Sequence, residues 1–176
     1  MLKKTFSLAL MLGVCWSVAA SSDDSLVKFR GGIGVIPVSV AAGVANADGS
    51  SPSVNRNVVR GVNPPGQIWV IADLRADVSV DGRIRVNGKG LLLAGGNAIG
   101  GTAGQSVFAT LICEAAAPFT LHNTAAAGVA LRPNGDFEID DMLSPAPGSC
   151  ASPVLLIRNL AGTWFAAGIP EVGNDR

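Results

Sequence analysis

His122 is the only histidine in this 176-residue chain. A Ser-His-Asp or Cys-His site needs just one imidazole, so the count alone leaves general-base chemistry open. The surroundings do not supply a partner. No serine sits in a G-x-S-x-G elbow, and His122-Asn123-Thr124 is a polar stretch typical of loops. His122 is therefore expected to be a solvent-exposed loop residue. A zinc site lacks ligands for the same reason. No catalytic, metal-binding or cofactor-binding residue is assigned, and a small hydrolase using His122 with a carboxylate stands as the enzymatic alternative.

Three other groups suggest chemistry and are better read as structure. Asp136, Glu138, Asp140 and Asp141 form the best calcium candidate. Calcium needs oxygens converging from a loop, whereas strand alternation spreads the first three along one face. A charged, solvated face that discourages edge aggregation is expected there. Gly95 to Thr102 superficially resembles a phosphate-binding loop, but it lacks the lysine and no helix follows. Trp69, Trp164 and Phe165 are candidates for a sugar-stacking platform. All lie in apolar runs, and Trp164 and Phe165 point to opposite faces, so core packing is expected.

The cysteines depend on where the protein folds. Residues 1–20 combine Lys3 and Lys4, an apolar run from Phe6 to Val14, and the small residues Val18-Ala19-Ala20. That is the pattern of a cleaved signal peptide and predicts a secreted or periplasmic protein. The run falls short of the roughly 20 apolar residues of a membrane span. Lipid anchoring at Cys15 would require a small residue where Val14 stands. Losing Cys15 with the leader leaves Cys113 and Cys150, which an oxidising compartment pairs by default. In the chain-entropy picture their bridge stabilises the fold by about 4 kcal/mol. Lys3 and Lys4 also leave, so thirteen acidic residues outnumber the remaining bases by two. Nucleic acid and anionic membrane are not expected partners, since both require a concentrated basic surface.

The elements that must position these residues are strands. The chain is 48% apolar and 15% charged, with 22 Gly and 10 Pro. Short aliphatic runs broken by turn signals favour a sandwich or barrel. About eight strands are expected, in an all-β, immunoglobulin-like β-sandwich with one disulfide. The compact domain is placed at 56–169, after an N-terminal strand and flexible linker at 21–55 and before a tail at 170–176. Two hairpins can be put in register. A Val80-Asp81-Gly82 loop pairs Val78 with Ile84, Ala76 with Val86 and Asp77 with Arg85, making one face apolar. A Pro133-Asn134-Gly135 loop pairs Leu131 with Phe137 and Val129 with Ile139. Gly82 and Gly135 then occupy the left-handed positions such loops need.

Gly61 to Val70, the Asp81-Gly82 hairpin, Ala109 to Cys113, Asn134 to Phe137 and Cys150 to Ile157 together resemble a group of exported bacterial proteins of unknown function. The resemblance covers roughly Arg56 to Ile169. It implies a β-sandwich and two paired cysteines, and no activity. The expected role is a non-enzymatic binding or structural module, with an unidentified extracytoplasmic ligand or protein as partner. Self-assembly through a strand at Val35 to Val40 is a further alternative.

Overall fold

The computed structural model describes residues 24–40 and 55–171. The expected leader (1–20), most of the expected linker (41–54) and the last five residues lie outside the described residues. In chain order the strands are β1 (Ser25–Gly34), β2 (Val38–Val40), β3 (Asn55–Arg56), β4 (Trp69–Val70), β5 (Asp73–Ser79), β6 (Arg83–Lys89) and β7 (Leu92–Leu93). Then follow β8 (Ser106–Ile112), β9 (His122–Asn123), β10 (Val129–Ala130), β11 (Phe137–Met142), β12 (Val154–Asn159) and β13 (Trp164–Pro170). No helix occurs among the described residues, so none there is long and apolar enough to cross a membrane.

One antiparallel hydrogen-bonded path runs β10-β8-β12-β13-β1-β5-β6-β11, with β9 also on β8. Its ends approach each other. Asn123 and Ser144 exchange backbone hydrogen bonds of 3.1 and 2.8 Å, and Arg132 N donates to Asp136 O at 2.9 Å. The path thus curls around one core in a sandwich-like or barrel-like closure. Phe29, Leu74, Ile84, Leu111, Leu155 and Ile157 lie at its centre with no exposure.

The first hairpin forms in the expected register, with Val78 opposite Ile84 and Asp77 opposite Arg85. Gly82 has a φ of 91° there. The second hairpin needs correction. Its turn exists, with Gly135 N donating to Arg132 O and a Gly135 φ of 81°. Its arms do not pair: Val129 lies opposite Val107 of β8, and Ile139 lies opposite Val86 of β6. The turn carries the chain from one end of the curled path to the other, and each arm finds a longer partner than its neighbour.

A second correction concerns β1. Sequence reading places these residues in the N-terminal strand and linker at 21–55, before the domain. In the structure β1 lies between β13 and β5, and the glycines form an irregularity between Phe29 and Gly32. Gly31 takes a φ of 94°, and a Cβ on Gly32 would stand 2.8 Å from Leu74 Cβ. The glycines let one strand bend over the core without ending it. At the other terminus, β13 continues through Pro170, and Glu171 N donates to Lys28 O at 2.8 Å.

Candidate functional site

The cysteines bring the molecule's one imidazole into a cleft. Cys113 directly follows β8, and residues 114–121 leave the sheet before β9 returns with His122 opposite Leu111. A disulfide joins Cys113 to Cys150 across 37 residues of sequence. It holds Gly148 to Ala151 over the same opening. The resulting cleft of 360 Å³ is lined chiefly by Cys113, Glu114, Thr120, His122 and Ser149.

His122 is not the exposed loop residue expected from its polar neighbours. It is 7% exposed, because pairing with β8 turns its ring beneath residues 144–145. Its Nδ1 lies 2.7 Å from the Pro145 carbonyl oxygen. A carbonyl only accepts, so Nδ1 carries the proton and Nε2 of the neutral ring is an acceptor. Every fully buried side-chain nitrogen or oxygen among the described residues has a partner. Nε2 has none there, so it is not fully buried, and His122 is among the residues lining the cleft.

Glu114 stands at the same cleft, partly exposed. Hydrogen bonds from the Thr120 side chain and backbone hold its carboxyl below the ordinary carboxylate range. Oε2 accepts from Thr120 N at 3.1 Å. The cleft is therefore lined by an imidazole and an ionised carboxylate, with Thr120 and Ser149 also on its wall. No hydroxyl among the described residues is hydrogen-bonded to the ring, so the positioned base–nucleophile pair of hydrolytic catalysis is not assembled here.

A part-buried polar cluster lies on the opposite face of β9. Thr110 Oγ1 donates to Asn123 Oδ1 at 2.7 Å, and Arg158 Nη1 reaches Thr110 Oγ1 at 3.3 Å. Arg158 Nε also donates to Gly162 O at 2.9 Å, while its guanidinium covers the Phe108 ring at 5.2 Å. Burial lowers the Arg158 pKa, yet the surrounding oxygens keep the cation satisfied. Arg60 acts similarly on the other side of the disulfide. It donates to Ile112 O at 3.0 Å, Ser152 O at 2.6 Å and Ser152 Oγ at 2.7 Å. Its own φ is 45°, a left-handed conformation that costs a non-glycine residue about 1 kcal/mol or more.

Neither arginine stands out from sequence. The available signal was Arg158 within the apolar run Val154 to Leu160, where a cation must find internal oxygens.

The remaining candidates separate. Asp136 Oδ1 accepts from Gly90 N, Asp140 pairs with Arg85 at 3.2 Å, and Asp141 Oδ2 accepts from Ala125 N. Glu138 is exposed beside a 330 Å³ depression on β5, β6 and β11. The acidic residues point to different partners, and no group of three or more His, Cys, Asp or Glu side chains gathers among the described residues. Trp69 stacks on Phe165 with centroids 4.1 Å apart, and Trp164 is 2% exposed. All three are core residues. Gly95 to Thr102 closes turns after β7, with Gly100 N donating to Leu93 O. No family model, curated protein or solved structure matches this chain.

Proposed function

We propose that the protein works outside the cytoplasm as a non-enzymatic binding or structural module. The observation carrying this reading is the Cys113–Cys150 bridge in an all-β domain, preceded by a leader-like segment at 1–20. Disulfides persist in oxidising compartments, and a bridge tying β8 to the approach to β12 suits a domain without chaperoned, reducing surroundings. Expression in a bacterial host, fractionation and intact mass test it. The expected species lacks residues 1–20 and two thiol protons and appears in the periplasm or medium. A full-length cytoplasmic protein with free thiols would overturn the reading.

A second reading, a small hydrolase using His122 with a carboxylate, draws on His122 and Glu114 lining the same cleft. Turnover of an ester, peptide or glycoside substrate that disappears in His122→Ala would replace the first reading with this one. Self-assembly through Val35 to Val40 has less to draw on. Val35 N donates to Phe165 O and Val35 O accepts from Trp69 N, so that backbone is engaged within the chain.

A further inference from the structure

We propose that the protein docks on an uncharged, zwitterionic lipid surface through the apolar end of the fold that lies opposite the disulfide. A lipid surface is then the partner of the binding module, and the docking depends on that end of the fold and not on export.

The first ground is where the exposed aliphatic side chains stand. β1 and β12 end where β13 begins, and β5 starts and β6 ends on the same side. The disulfide lies at the other end, where Ile112 faces Val154. Beyond the first set of strand ends, Ile36, Val58, Ile68, Val70 and Ile99 are 42–66% exposed. They come from separate segments tied together by hydrogen bonds. Asn57 N donates to Pro37 O at 2.9 Å and Asn57 Nδ2 to Ile36 O at 3.0 Å, which brings Val58 beside Ile36. Trp69 N donates to Val35 O at 3.1 Å, and Ala94 N to Ile68 O at 2.9 Å. Gly100 N reaches Leu93 O at 2.8 Å, so the loop carrying Ile99 folds back onto β7. Single exposed aliphatics scattered over a surface need no explanation, whereas a group on neighbouring loops at one end marks an interaction site.

The second ground is charge. Residues 31–37, 57–59, 61–72 and 90–112 contain no ionisable side chain. Bringing a charge into the acyl region is costly, so charge-free loops can enter its boundary where charged ones cannot. Of the charged residues flanking these segments, Asp73 lies opposite Lys89 at the strand ends, and Arg56 donates to Pro64 O. With no basic cluster at this end, anionic headgroups gain no hold, and a zwitterionic surface is the matching one.

The third ground is the backbone. A lipid boundary requires N–H and C=O groups to be paired within the chain. The bonds above do this for the loops, together with Leu93 N on Gly101 O, Gly101 N on Ala98 O and Ile99 N on Gly96 O. The same bonds occupy backbone that a strand-adding peptide would need. Side chains standing on separate loops also suit a deformable bilayer better than the core of a protein interface, which demands interior-like packing.

The test is flotation of the purified protein with phosphatidylcholine vesicles. Binding should persist from low to high salt, because no exposed charge carries it. Ile36→Asp and Ile99→Asp should each weaken it by about 10-fold or more, the loss expected for one aliphatic anchor. Hydrogen exchange of the unaltered protein decides the matter even if those variants misfold. Vesicles should slow exchange at 57–59, 68–70 and 95–101 and leave 114–121 unchanged. Absence of flotation overturns the proposal, as does binding that needs anionic lipid and fades with salt. A dimer that forms without lipid and is lost in both variants overturns it in favour of a second copy of the chain. None of these results bears on the processed mass and paired thiols that test export.

Discussion

The outer surfaces of β5–β6–β11 and of β8–β12–β13 use the same antiparallel hydrogen bonding and reach opposite outcomes. On the first, Arg75, Asp77, Arg85, Glu138 and Asp140 face water while Leu74, Ala76, Ile84, Val86 and Ile139 face the core. On the second, Phe108, Thr110, Ile112, Leu156 and Trp164 are as buried as the inner residues. The difference lies in a second layer. Residues 57–63 cross the outer side of β13, where Trp164 Nε1 donates to Asn57 O and Trp164 N to Asn63 O, each at 3.0 Å. Arg60 and the disulfide secure that cover, and Phe119 lies under the Arg60 guanidinium at 5.9 Å. An open sheet face leaves its charges solvated and nearly idle. A covered one must give its buried polar groups partners, as Thr110 finds in Asn123 and Arg158.

That contrast can be broken from the covered side first. Replacing Cys113 and Cys150 together by serine should lower stability by about 4 kcal/mol, seen as a lower urea midpoint. Amides of β8 and β9 should lose hydrogen-exchange protection before those of β5 and β6. Loss of protection in the reverse order would remove the claim that the bridge secures the covered half.

Arg60→Met comes next. It strips the Ile112 and Ser152 carbonyls of a charged donor and should cost about 2–3 kcal/mol in denaturant unfolding. Arg60→Lys should recover little, since one ammonium cannot reproduce the planar fork. Gly135→Val should cost more than about 1 kcal/mol, because the φ is left-handed and a Cβ would stand 2.6 Å from Leu91 N. An unchanged midpoint would show that the β10–β11 turn tolerates a side chain.

The open face supplies the small effects. Arg85 and Asp140 are 65% and 60% exposed, so Arg85→Ala should shift stability by about 0–1 kcal/mol. A larger loss would mean that this face too has a cover.

The pH dependence of Glu114 sharpens the same point. Its folded carboxyl is held low, so its contribution is full above the unfolded value and fades as pH falls through the folded one. Unfolding midpoints of the unaltered protein and Glu114→Gln should therefore converge slightly in acid. A gap that widens on acidification would show the sign to be wrong.

Legibility from sequence followed the same division. Strands with one wet face alternate, which is why Leu74 to Ser79 and Arg83 to Val86 could be paired residue by residue. The bridge was legible because two cysteines remain once the expected leader at 1–20 is set aside. His122 was misread since polar neighbours carry no record of the carbonyl that accepts its Nδ1–H hydrogen bond. β1 was set before the domain because its glycines interrupt the alternation that marks a sheet strand. The second hairpin was misread because local register cannot reveal that β6 and β8 compete for its arms.

Composition, alternation and cysteine count by themselves determined an all-β chain with one bridge and a solvated charged face, because those properties are set within a few residues. Tertiary structure alone decided that His122 is buried with its Nδ1–H on the Pro145 carbonyl, that Arg60 and Arg158 satisfy distant oxygens, and that β1 is interior to the sheet. Those features depend on contacts between residues tens of positions apart, and local pattern holds no term for them.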